Sequence, residues 1–238
     1  MELVLVKGFV ILSFVFMMSM NVYANTKPLH GNTTSEISNK YPTLFTPSGF
    51  TFSIWGVIYL FLIFFTSVFV IDSSQFSNPI LTGLMFGVSS VLNGIWLNFW
   101  HQDKQVASSV IMFILLMSLI YVYLLIQDSR FYITLPIRVY LGWIAVATLA
   151  QISVLLYPYK PSSYKIEVGI FFLVLIVGVA LAIAMNFIYN DWVFALVIIW
   201  GYFGIYAKHK SQNHLWIKQM VLVCIGIILL LSVISIIV

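Results

Sequence analysis

FTFSIWGVIYLFLIFFTSVFVI, residues Phe50–Ile71, decides the fold, because it runs without a single charged side chain. A helix of about 22 residues rises roughly 33 Å, enough to cross a hydrocarbon layer about 30 Å thick. Working outward, comparable runs occupy about 3–24, 79–100, 106–126, 132–157, 166–187, 191–207 and 219–238, so the sequence predicts eight spans. The runs are continuous, whereas a membrane barrel needs short segments that alternate lipid-facing and lumen-facing residues. The seventh run is the shortest. It reads either as a helix packed among neighbours or as a partial span, with Trp192, Trp200 and Tyr202 equally suited to the membrane interface.

Composition points the same way. Of 238 residues 62% are hydrophobic and 8% charged, with a mean hydropathy of +1.06; an ordinary soluble domain carries about a quarter charged residues. The expectation is an all-α, polytopic transmembrane bundle whose partner is membrane lipid. The net charge of +4, from 11 basic and 7 acidic residues, is scattered over links between runs. It forms no Lys/Arg block of the kind nucleic acid requires, so no nucleic-acid partner is expected. Cys224 stands alone inside an apolar run, which excludes an intramolecular disulfide and a cysteine-based zinc site.

The first run ends Val22-Tyr23-Ala24 before Asn25 and has some likeness to a cleaved signal peptide. Glu2 offsets Lys7 and the apolar stretch is long, so it is read as a retained helix. Short links leave neighbouring helices antiparallel in one bundle. The exception is residues 25–49, the longest polar stretch, which ends in Pro42 and Pro47. Composition leaves both a binding loop and a disordered linker open. Links 1/2, 3/4, 5/6 and 7/8 carry Lys27, Lys40, Lys104, Lys160, Lys165, Lys208, Lys210 and Lys218, against Lys7, Arg130 and Arg138 on the other side. This asymmetry places the lysine-rich side in the cytoplasm and both termini outside, with the cell membrane as the expected location. The triplet Asn32-Thr-Thr then faces the cytoplasm, where its glycosylation pattern is not used.

No carboxylate falls near the middle of a run: Glu2, Glu36, Asp72, Asp103, Asp128 and Asp191 sit at termini or in links, and Glu167 at a helix start. Ion-coupled pumping, which needs an ionisable relay inside the bundle, is thereby disfavoured. His30, His101, His209 and His214 fall in links without ligand spacing, so they are read as solvated residues and no metal site is expected. Neither a phosphate-binding glycine loop nor a hydrolase signature is present, and a conventional soluble-type enzyme is unsupported.

What remains is a set of uncharged stripes. Asn93, Trp96 and Trp100 share one helical face in the third run, Tyr140, Trp143, Ala147 and Gln151 in the fifth, and Thr51, Trp55 and Tyr59 in the second. A bare amide in hydrocarbon costs several kcal/mol, so Asn93 and Gln151 face the bundle interior. They serve either as glue between helices or as polar edges of a site. Trp96 and Trp143 share faces with those amides, and aromatic walls with a few polar groups suit an apolar, planar ligand.

The stretch Pro42-Thr-Leu-Phe-Thr-Pro47-Ser-Gly-Phe-Thr-Phe-Ser-Ile-Trp55-Gly-Val-Ile-Tyr59 resembles the first loop and second helix of the TspO/MBR family, the translocator or tryptophan-rich sensory proteins. Leu92-Asn93-Gly-Ile-Trp96 is similar to that family's third-helix signature, and Tyr140-Leu-Gly-Trp143-Ile-Ala-Val-Ala147-Thr148 to its fifth helix. The resemblance covers about residues 1–157 and implies a five-helix core there, with residues 158–238 as a three-helix extension. It implies a pocket inside the five helices, roofed by the first loop, for porphyrins and other tetrapyrrole-like molecules and, in some members, sterols and synthetic aromatic ligands. Carried over by position, the ligand-binding residues are Pro42, Pro47, Trp55, Tyr59, Asn93, Trp96, Tyr140, Trp143, Ala147 and Thr148, with Gln151 where the family has Asn. Leu44, Thr46 and Gly49 also depart from the family pattern.

Three functions follow as expectations. The first is a receptor or sensor for an apolar aromatic molecule, with no cofactor required. The second is a facilitative transporter of a small hydrophobic metabolite. The third is an enzyme acting on bound pigment, which nothing in the spacing demands. The small residues Gly87, Ser89 and Ser90 fit either a homodimer contact or ordinary packing within one bundle.

Overall fold

The computed structural model describes residues 1–27, 29–32, 34–156, 164–211 and 215–237. Thr33 of the glycosylation triplet, Lys160, His214 and the expected boundary at 157/158 lie outside the described residues. Among the described residues nine α-helices follow in order: α1 Glu2–Thr26, α2 Thr34–Lys40, α3 Ile54–Ile71, α4 Pro79–His101, α5 Gln105–Ile126, α6 Phe131–Leu155, α7 Tyr164–Tyr189, α8 Trp192–Ser211 and α9 Leu215–Ile237. All but α2 belong to segments long and apolar enough to span a membrane, eight among the described residues. The chain is an all-α, multi-pass membrane protein. Two compact units emerge: residues 1–40 with 55–144, and residues 41–54 with 145–238.

In the first unit α4 packs against α1 and α5. The helix starts where its sequence says it must: Pro79 fills a first-turn position that needs no N–H, and the Asn78 side chain accepts from Leu81 N at 3.1 Å. Gly83, Gly87 and Gly94, spaced four and seven apart, present one bare face to α1. A Cβ on Gly83 would lie 2.5 Å from Val6 Cγ1, one on Gly94 would lie 2.5 Å from Phe16 Cε1, and one on Gly87 would run into the Phe9 ring. Small residues let the two backbones approach, as membrane helices use them to do. The Gly87 end of the small-residue run is therefore used for packing inside this chain. Phe65 of α3 lies tilted against Phe86 of α4, centroids 4.9 Å apart, and Phe76 meets both Phe65 and Phe69 edge to face.

In the second unit α7, α8 and α9 pack on one another. A two-residue link turns α7 into α8. Asn190, at φ +50°, ends α7 in the left-handed conformation, with Asp191 N reaching back to Met185 O at 3.1 Å. The Asp191 carboxylate then accepts from Phe194 N at 3.0 Å and caps α8. The seventh span is thus a full helix, longer than the run of 191–207, because it is capped at one end and carries Lys208, His209 and Lys210 in its last turn.

The reading of two histidines is corrected. His101 and His209 are buried at helix ends instead of solvated: Nδ1 of His101 lies 2.8 Å from Leu97 O, and Nε2 of His209 lies 2.8 Å from Leu44 O. The stretch at 25–49 divides between the two units at Lys40 and Tyr41. Its first half contains α2 and stays with the end of α4, through Lys40–Asp103 at 2.6 Å and His30–Asn98 at 2.9 Å.

Candidate functional site

The first unit gathers four of the expected aromatic residues. Trp55, in the first turn of α3, stacks on Tyr59 one turn later with centroids 5.4 Å apart and planes 20° from parallel. Its ring lies 6.2 Å from Tyr140 and meets Trp143 edge to face at 6.4 Å, both on α6. Tyr140 and Trp143 are buried, whereas Trp55 and Tyr59 are half-buried. The cluster therefore has a fixed wall on α6 and a more accessible wall on α3.

A neutral hydrogen-bonded chain supports that wall. Asn93 of α4 donates from Nδ2 to the Tyr140 hydroxyl oxygen at 3.0 Å. Its Oδ1 accepts from Asn21 Nδ2 of α1 at 2.9 Å, and Asn21 also donates to Met17 O at 2.9 Å. The Tyr140 hydroxyl points on to Met17 Sδ at 3.9 Å. Asn93 and Tyr140 have no exposed surface, so each of these bonds answers a group that hydrocarbon would otherwise strand. Two polar atoms beside the chain have no such answer: the Tyr59 hydroxyl and the Trp96 indole N–H are buried without a hydrogen-bond partner. Each is a neutral polar group whose burial leaves its hydrogen bond unmade.

Trp96 stacks on Trp100 of its own helix, centroids 6.2 Å apart. Pro42, Pro47, Ala147 and Gln151 belong to the second unit. There the stretch from Tyr41 to Ile54 is fastened to α8. Ser48 N donates to Gly204 O at 3.0 Å, Trp200 Nε1 donates to Thr51 O at 2.9 Å, and Phe45 meets Tyr202 edge-on at 6.2 Å. Gly204 is bare where Thr51 presses against it. Ala147 and Gln151 lie on α6, with Gln151 buried.

Sequence reasoning passed over two groups of residues. Asn21 met the same criterion as Asn93, an amide inside an apolar run, and its partnership with Asn93 could have been sought. Trp200, Gly204 and His209, which hold the loop, carried no signal of that role. Among the described residues no group of three or more His, Cys, Asp or Glu stands together to hold a metal.

Eight candidate spans among the described residues and an uncharged aromatic cluster define a polytopic membrane protein. A family model described as TSPO-like protein matches residues 7–235, and the chain belongs to that family. The match runs through the three C-terminal helices, beyond the stretch over which the motifs were read. Comparison with curated proteins and with solved structures gave no match.

Proposed function

We propose that this protein is a membrane receptor or sensor for a flat, apolar aromatic molecule of the porphyrin or tetrapyrrole class, taken up at Trp55, Tyr59, Tyr140 and Trp143. The observation that carries this reading is the position of Trp55, half-buried against three other rings, with the unpartnered Tyr59 hydroxyl beside it. Aromatic faces offer a planar ligand area at low entropy cost, and an open hydroxyl adds direction. Membership of the TSPO-like family supports the same class of ligand.

The test is a titration of detergent-purified protein with protoporphyrin, following Trp fluorescence. Saturable quenching that weakens at least tenfold in Trp55→Ala, and less in Tyr59→Phe, is the expected result. Quenching that does not saturate, or that is unchanged in Trp55→Ala and Trp143→Ala, would remove the proposal. Saturable uptake into proteoliposomes would move the reading to facilitated transport.

A further inference from the structure

The aromatic cluster of the first unit takes a chemical direction from the polar chain behind it. Met17 O is a carbonyl and can only accept, so the Asn21 amide must turn its NH2 group toward it, at 2.9 Å. The same nitrogen gives its other hydrogen to Asn93 Oδ1, also at 2.9 Å. With its oxygen taken, Asn93 meets the Tyr140 hydroxyl through its own NH2 group, at 3.0 Å. The Tyr140 oxygen therefore accepts, and its hydrogen is driven away from Asn93, to the Met17 thioether at 3.9 Å. Sulfur is a weak acceptor. A fully buried phenol whose proton meets only a thioether keeps most of its strength as a donor.

Tyr59 adds a second donor. Its hydroxyl is buried with no hydrogen-bond partner among the described residues, and it lies within electrostatic range of Tyr140. Both tyrosines flank the Trp55 ring, with centroids 5.4 and 6.2 Å away. The two walls offer an anion nothing in return. α3 carries no charged residue, and the one charge of α6, Arg138, is turned back to the Phe131 ring at 5.7 Å. A carboxylate would have to shed its water there without a cation to receive it, whereas a neutral acceptor loses little.

We propose, resting on the receptor reading above, that the site recognises its flat aromatic ligand through a neutral hydrogen-bond acceptor, a ring-conjugated carbonyl, received by the hydroxyls of Tyr140 and Tyr59. Asn21 and Asn93 are positioning residues, because their amide order, set at Met17 O, makes Tyr140 a donor toward the ligand. A molecule of the same outline without an acceptor leaves both protons unanswered, and polar sites reject such analogues strongly.

Equilibrium dialysis of the full-length protein in detergent, with empty micelles as the reference, compares fluorenone with fluorene, which has the same fused rings and no carbonyl. The parent should bind fluorenone about tenfold more tightly. Tyr140→Phe and Tyr59→Phe keep both rings. Each should lower that preference about threefold or more while fluorene binding stays within about twofold, which shows the fold intact. In the infrared, the carbonyl stretch of bound fluorenone should lie at lower wavenumber in the parent than in Tyr140→Phe. In Asn21→Leu the Asn93 amide is free to turn its oxygen to Tyr140, so the stretch should move back up; an unchanged stretch would strike the positioning role. Equal saturable binding of the two probes, a preference untouched in both phenylalanine variants, or saturable binding of protoporphyrin without that of fluorenone would overturn this inference and leave the receptor reading standing. Loss of saturable binding for fluorenone, fluorene and protoporphyrin alike would remove both.

Discussion

Replacing Asn93 by Ala tests whether the polar chain under the aromatic wall holds α1, α4 and α6 together. The change removes two bonds, from Asn21 Nδ2 to Asn93 Oδ1 at 2.9 Å and from Asn93 Nδ2 to Tyr140 at 3.0 Å. Hydrogen bonds between membrane helices average about 0.6 kcal/mol and reach about 1.7. The expected destabilisation therefore runs from about 1.2 to about 3.4 kcal/mol. The upper part of that range is favoured physically, because an N–H of Asn21 and a lone pair of Tyr140 are left bare at sites with almost no exposed surface. Asn21 keeps its bond to Met17 O and Tyr140 its contact with Met17 Sδ, so the loss does not extend along the whole chain. Equilibrium unfolding in mixed micelles with increasing dodecyl sulfate gives the stability. A double-mutant cycle with Asn21→Ala isolates the first bond, for which a coupling of about 0.6 kcal/mol or more is expected. Tyr140→Phe removes the second bond together with the weaker contact of the hydroxyl with Met17 Sδ and should cost at least half as much as Asn93→Ala. If Asn93→Ala stays within about 0.3 kcal/mol of the parent, or the cycle closes with no coupling, the chain is incidental to the fold.

Other perturbations follow from the same packing. Gly87→Leu drives a side chain into Phe9 across the α1–α4 seam, and overpacking of this kind should cost about 1–3 kcal/mol in the same unfolding assay; Gly56→Leu, where a Cβ meets nothing, is the neutral comparison. Trp200→Phe loses the bond to Thr51 O while keeping an aromatic ring. The loosened loop should raise the labelling rate of a Ser48→Cys reporter about twofold to tenfold, for a bond worth about 0.5–1.5 kcal/mol; an unchanged rate would show that α8 does not hold the segment. Asp72 is exposed, and hydrogen bonds from Ser74 and Gln75 hold its carboxyl below the ordinary value. A lowered folded pKa means the contribution is present above the unfolded pKa and is lost as pH falls through the folded one. The acid limb of the stability profile should therefore flatten slightly in Asp72→Asn; a profile that superimposes on the parent's would assign the carboxylate no role.

Much of this architecture was legible because lipid imposes a coarse rule. Where the solvent cannot satisfy backbone polar groups, about twenty apolar residues mean a helix whatever their order, so the eight spans could be counted from runs alone. Helix ends such as Asn78-Pro79 and Asn190-Asp191 were locally encoded as well, since capping involves only residues a few positions apart. The rest required distances between helices. His101 and His209 read as solvated link residues because polarity is the only cue a sequence offers at a helix end; burial depends on a carbonyl supplied by Leu97 in one case and, in the other, by Leu44, far away in the chain.

The amino-acid order by itself determined that this is a multi-pass helical membrane protein, and it singled out the motifs of the TSPO-like family, because both are written in stretches of a few to some twenty residues. Tertiary structure alone decided which of those residues work together. It joined Trp55 to Tyr140 and Trp143, and Asn93 to Asn21. It gave the stretch from Tyr41 to Ile54 to α8, through Gly204, Trp200 and His209. Helical periodicity fixes which face a side chain occupies, but the partner on that face is set by how helices distant in sequence come to lie side by side.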